Sequence, residues 1–143
     1  MIKSFRGQLA SGGQDTIRLS TVRGETGYRI VKFDIFTLSP GIGSEAEHVV
    51  KVYKQKRDAV TGTVNFNNEL LIGVGFLPVK TSVFATQQVV TFNNVVFNQD
   101  VYVTHTDNGG NAVAVNYHIE LEQVKLSLDE ATVATLKDMR GSN

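Results

Sequence analysis

The chain has 143 residues, 41% hydrophobic and 20% charged, with 14 basic and 14 acidic side chains that leave no formal net charge. That length and balance suit one folded domain spanning 1–143 and exclude a disordered chain or a nucleic-acid binder driven by bulk charge. With no cysteine there is no disulfide and no thiolate metal site, and no apolar run reaches membrane-spanning length.

The opening MIKSFRGQL has no apolar core of a secretion signal, so synthesis in a cytoplasm is expected. Residues 2–9 alternate loosely and read as a first strand. Ala10-Ser11-Gly12-Gly13-Gln14 is a turn, 15–21 a short strand with Ile17 and Leu19 on one face, and Arg23-Gly24-Glu25 a second turn. Residues 28–38 carry Ile30, Phe36 and Leu38 on one face and Val31, Phe33 and Ile35 on the other. Apolar residues on both faces predict a central strand covered on each side for part of its length. After a loop over 39–44, residues 46–55 form a strand, 56–62 an exposed polar loop and 63–66 a short strand. Residues 70–77 (LLIGVGFL) are an apolar run whose glycines suggest a buried or bulged strand, ended by Pro78. Residues 82–92 are another strand, and Asn93-Asn94 turns after it.

Residues 95–121 read as a hairpin with a marked turn. A three-residue loop, Asn108-Gly109-Gly110, with Gly110 in the left-handed conformation, would pair Asp107 with Asn111. That register sets Val103 opposite Val115, Val101 opposite Tyr117, Gln99 opposite Ile119 and Phe97 opposite Leu121. It makes one face apolar and the other polar, as expected of two adjacent strands of a sheet with one wet side. The period then changes. Ser127-Leu128-Asp129-Glu130 fits a capping box, Leu128, Val133, Leu136 and Met139 recur at near-helical spacing, and Lys137, Arg140 and Gly141 suit a helix end. A helix over about 128–140 is expected. The fold class that follows is all-β, an antiparallel β-sandwich or jelly-roll-like domain with one C-terminal α-helix.

Chemistry is sparse. The hairpin register would place Asp100 opposite His118, a candidate base held by a carboxylate, but no serine elbow or cysteine accompanies them, and a cross-strand polar pair is the better reading. His105 and His118 would face opposite ways, which argues against a shared zinc site. Residues 107–111 are rich in oxygen ligands but lack the spaced carboxylates of a calcium loop. Lys51, Lys54, Lys56 and Arg57 form the one basic cluster, best read as a solvated strand end. Gly12-Gly13 and Gly73-x-Gly75 lack the sequence context of phosphate loops. Tyr28, Tyr53 and Tyr102 are the plausible platforms for a sugar ring. No catalytic residue, metal site or cofactor is expected.

Several segments together, FRGQL (5–9), GGQDTIRLST (12–21), GYRIVKF (27–33), FNQDVYVTH (97–105), NYHIELE (116–122) and EATVATLKDMR (130–140), resemble small, largely uncharacterised proteins of tailed phages of marine bacteria. The resemblance spans most of the chain in the same order and carries no functional residues. It implies a virion structural protein, made in the host cytoplasm. On that basis a capsid decoration or cement subunit binding the major capsid protein is expected, as a homo-oligomer or bound to the lattice, without nucleic-acid or membrane contact. Partner contacts are expected from Ile2 and Phe5 in the first strand and from Leu128, Val133, Leu136, Met139 and Arg140 in the terminal helix. The alternative is a tail or head–tail module that binds a host glycan or receptor.

Overall fold

A computed structural model describes residues 1–19, 25–38, 45–80 and 87–126. The expected helix over 128–140, with Leu128, Val133, Leu136, Met139 and Arg140, lies outside the described residues. The described chain is all-β and builds two antiparallel sheets from eight strands: β1 (Ile2–Leu9), β2 (Gln14–Ile17), β3 (Thr26–Thr37), β4 (Ala46–Tyr53), β5 (Leu71–Val79), β6 (Val89–Phe92), β7 (Val101–Asp107) and β8 (Val115–Lys125). One sheet has the order β1-β8-β3 and the other β2-β7-β4-β5-β6.

Alternation explains which side chains go inside. On β8, Val115, Tyr117, Ile119 and Leu121 are buried while Asn116, His118, Glu120 and Glu122 are partly exposed. On β7, Val101 and Val103 are buried on the same parity as His105. These residues join Ile30, Phe33 and Ile35 of β3 and Val50 and Val52 of β4 in one core shared by both sheets. A glycine of β5 makes room for it: a Cβ on Gly75 would come within 3.1 Å of Ile35 Cδ1.

The expected hairpin does not form. Each half does contain a strand, over Val101–Asp107 and Val115–Lys125, and Gly110 takes a positive φ of 80°. But β7 pairs with β2 and β4, while β8 pairs with β1 and β3 in the other sheet. Residues 108–114 therefore cross between sheets. The apolar faces meet across the core instead of side by side.

β3 is likewise not a central strand. It lies at the edge of its sheet, and a register shift between Ile30 and Lys32 brings Ile30, Phe33 and Ile35 to one buried face. The bulge accounts for the apparent two-faced pattern and leaves Phe36 exposed. The strand covered on both faces is β4. Val50 and Val52 face the shared core, while Tyr53 packs with Leu70, Leu71 and Val74 in a second cluster outside it. The connection 54–70 runs back over that outer side: Lys51 Nζ donates to Thr63 O at 2.8 Å, and Asn108 Nδ2 donates to Gly62 O at 3.2 Å. Residues 63–66 contain no strand, and β5 runs through Pro78, paired with Glu47, to Val79.

Candidate functional site

The chain crosses from the three-stranded to the five-stranded sheet, or back, after β1, β2, β3 and β7. The crossings after β1, β3 and β7 lie at one end, because Leu9 and Thr37 both pair with Val115. Three buried polar groups collect there. His48 lies near the start of β4 on its inner face, and His105 and Asp107 end that of β7; His48 and Asp107 are register partners. The sequence carried a signal for this: His48 shares the parity of Val50 and Val52, and His105 that of Val101 and Val103.

His48 Nδ1 lies 2.9 Å from His105 Nε2, and His105 Nδ1 lies 3.0 Å from the carbonyl oxygen of Leu9. A carbonyl only accepts, so His105 Nδ1 carries its proton and donates to Leu9. In a neutral ring its Nε2 is then the acceptor, and His48 donates from Nδ1. His48 Nε2 is left a bare acceptor, buried and without a hydrogen-bond partner. Both rings are held neutral. Burial first, then the charge of His105 when protonated, lowers the His48 pKa to about 4 despite the opposing pull of Asp107. Burial also lowers that of His105, against the hydrogen bonds to the backbone of Ala10 and Leu9 and the charge of Asp107.

Asp107 is spent on the backbone. Its Oδ1 accepts from Glu47 N at 2.9 Å and Gly109 N at 2.8 Å, and its Oδ2 accepts from Val113 N at 3.0 Å. Burial pushes its pKa up, but these donors and the charge of His48 prevail and hold it below the ordinary value. Its own N–H donates to Ser11 Oγ at 2.9 Å. The turn after β1 is fastened to the same place. Gly12, at φ 85°, donates its N–H to His105 O at 2.8 Å, and His105 N donates to Gly13 O at 3.1 Å. The cluster thus ties the crossing after β1 and the crossing after β7 to the start of β4.

Chemically, the arrangement is a fastening. The two imidazoles are fully buried, and the carboxylate that could polarise them accepts from three amides instead. Among the described residues no group of three or more histidine or acidic side chains is placed to hold a metal ion. The oxygen-rich stretch 107–111 resolves as the Asp107-capped turn.

The other sequence candidates separate. Asp100 Oδ1 accepts from Leu19 N at 2.8 Å, whereas His118 sits in the other sheet between Arg6 and Asp34, so the proposed Asp100–His118 pair does not exist. His105 and His118 lie in different sheets. The basic cluster is not a solvated strand end: Lys51 and Lys54 are buried, and the Arg57 guanidinium stacks 4.7 Å from the Tyr53 ring centre. Tyr28 and Tyr53 are buried and offer no sugar platform, while Tyr102 is half-buried. Of the expected contact residues, Ile2 is 56% exposed and Phe5 packs partly against the core. Phe36, whose alternation with Ile30 and Leu38 suggested a covered face, is instead 62% exposed on the outer face of the three-stranded sheet. It borders a shallow groove lined also by Arg6, Asp34, Asn116 and His118. Compared with known proteins, the chain matches no family model, no curated protein and no solved structure.

Proposed function

We propose that this protein is a structural subunit of a phage particle: a β-sandwich of jelly-roll type that binds the major capsid protein as a decoration or cement subunit. The observation that carries this reading is the use made of the buried polar groups. Two of the three histidines, His48 and His105, are closed off from solvent and committed, with Asp107, to holding chain crossings. A rigid, non-enzymatic scaffold needs such fastening, and a hydrolase needs the same groups exposed in a cleft. The resemblance of six segments to proteins of tailed phages supplies the particle. Its contact with the capsid is assigned to 128–143, whose sequence is amphipathic.

The test is stoichiometry in purified particles, by quantitative mass spectrometry against the major capsid protein. A ratio near one to one, or a fixed simple fraction of it, is the expected outcome. Absence of the protein from the particle overturns the reading. Removing 128–143 should leave a folded protein that no longer binds capsids.

A second reading, a tail-associated module that binds a host glycan, rests on Phe36. An exposed ring beside Gln8, Asn116, Arg6 and His118 offers a stacking face flanked by hydrogen-bond donors, as sugar recognition requires. A handful of copies per particle, with glycan binding lost on Phe36→Ala while the fold is retained, would favour it over the capsid assignment.

A further inference from the structure

A two-sheet fold has four sheet edges, each an unpaired ladder that invites another strand unless it is short or covered. Here β2 and β6 are edges of four residues each. The β3 edge is engaged near its start: Tyr28 and Phe97 exchange both backbone hydrogen bonds, at 2.7 and 2.9 Å. Farther along, the N–H of Ile35 donates to Gln88 Oε1 at 2.7 Å. The fourth edge, β1, is different. It is eight residues long, contains no proline and no bulge, and nothing among the described residues pairs with its outer side.

Its free groups can be assigned. Gln123 N donates to Met1 O at 2.8 Å, and β1 pairs with β8 in a register where Ile2 faces Glu122 and Leu9 faces Val115. Because hydrogen bonding alternates along an antiparallel strand, Lys3, Phe5, Gly7 and Leu9 bond to β8. Ile2, Ser4, Arg6 and Gln8 therefore point their N–H and C=O groups outward, and all four are exposed.

We propose that β1 pairs antiparallel with β1 of a second copy of this chain, about a two-fold axis at Phe5, joining two three-stranded sheets into one of six strands. The free groups dictate the register, since outward-bonding residues must face one another. Two such registers use seven residues of the strand. Centred on Arg6, the pairing sets Arg6 against Arg6, two like charges. Centred on Phe5, it sets Ile2 opposite Gln8, Ser4 opposite Arg6 and Lys3 opposite Gly7. Both basic residues then face neutral ones, and the half-buried Phe5 rings meet at the axis, where an isologous contact is self-complementary. The partner is a second copy because this register satisfies the edge with its own sequence. The proposal is independent of where in a particle the protein sits.

The test uses the full chain, which has no cysteine to confuse it. Analytical ultracentrifugation should give twice the chain mass, and Ser4→Pro should give a single chain with little change in melting temperature, since the Ser4 N–H takes no part in the β1–β8 ladder. A monomer at all concentrations up to the hundred-micromolar range overturns the proposal, as does a dimer that survives Ser4→Pro. The register is read separately by oxidation. Phe5→Cys places two thiols in a non-hydrogen-bonded pair, Cα atoms about 4.5 Å apart, within disulfide reach, and should cross-link fully. Gln8→Cys should not cross-link. Faster cross-linking of Arg6→Cys than of Phe5→Cys would reject the Phe5-centred register.

Discussion

Tyr117 and Asp15, one on each sheet, share a 2.9 Å hydrogen bond in which the phenol donates to Asp15 Oδ2. The ring lies over Gly7, where a Cβ would come within 2.9 Å of the phenolic oxygen. The bond closes the side of the core where β1 and β2 are the edges. Burial, then the Asp15 carboxylate, raises the Tyr117 pKa well above its ordinary 10.0. Tyr117→Phe should cost about 1–2 kcal/mol in urea unfolding at pH 7. The native state holds this proton after the unfolded state has released it, so stability should fall as pH rises above 10.0, less steeply in Tyr117→Phe.

The histidine pair sets an acid limit. The unfolded chain takes up protons near the ordinary value of 6.5, while native His48 resists until about 4. Its contribution is therefore complete above 6.5, falls as pH drops toward about 4 and levels off below. For His48 the loss amounts to about 3 kcal/mol. Unfolding midpoints measured from pH 7 to 4 should show it. His48→Gln should be weaker at pH 7 and show a shallower decline. An unchanged slope would mean that the buried pair does not govern acid stability.

Asp107→Ala strips an acceptor from three backbone amides at once. A loss of about 2–3 kcal/mol is expected, with about half that for Asp107→Asn, which keeps one oxygen. Hydrogen exchange gives the local readout: the amides of Glu47, Gly109 and Val113 should exchange faster in Asp107→Ala, ahead of those in β5.

Gly75 tests the closeness of the sheets. Its missing Cβ would sit 3.1 Å from Ile35 Cδ1 and 3.3 Å from Phe33 Cε2. Gly75→Val adds two further methyl groups there and should destabilise by about 1–3 kcal/mol through overpacking. The measurement is the thermal midpoint, expected to fall by several degrees.

Much of the strand content was legible from alternation. Alternation over residues 2–9 spans the strand they form, and the buried parity of Val101, Val103, Val115, Tyr117, Ile119 and Leu121 follows from the sequence pattern. The bulge near Val31 was not legible. A register shift changes which residues share a face without changing composition, so Ile30 and Phe33 looked opposed when they are neighbours in the core. The buried pairing of His48 with His105 is not legible in the sequence because the two residues, brought together by the β4–β7 ladder, lie 57 apart.

What the sequence by itself determined is the set of faces: period-two hydrophobicity fixes which side of each strand is buried, because a wrong parity exposes every apolar side chain at once. What only the tertiary structure decided is the pairing. Two strands with apolar faces joined by a glycine-rich turn bury the same side chains whether they lie side by side in one sheet or face to face across a core. The choice is made by competition for edges: β2 and β4 take both sides of β7, β1 and β3 take both sides of β8. No local property of residues 107–115 encodes it.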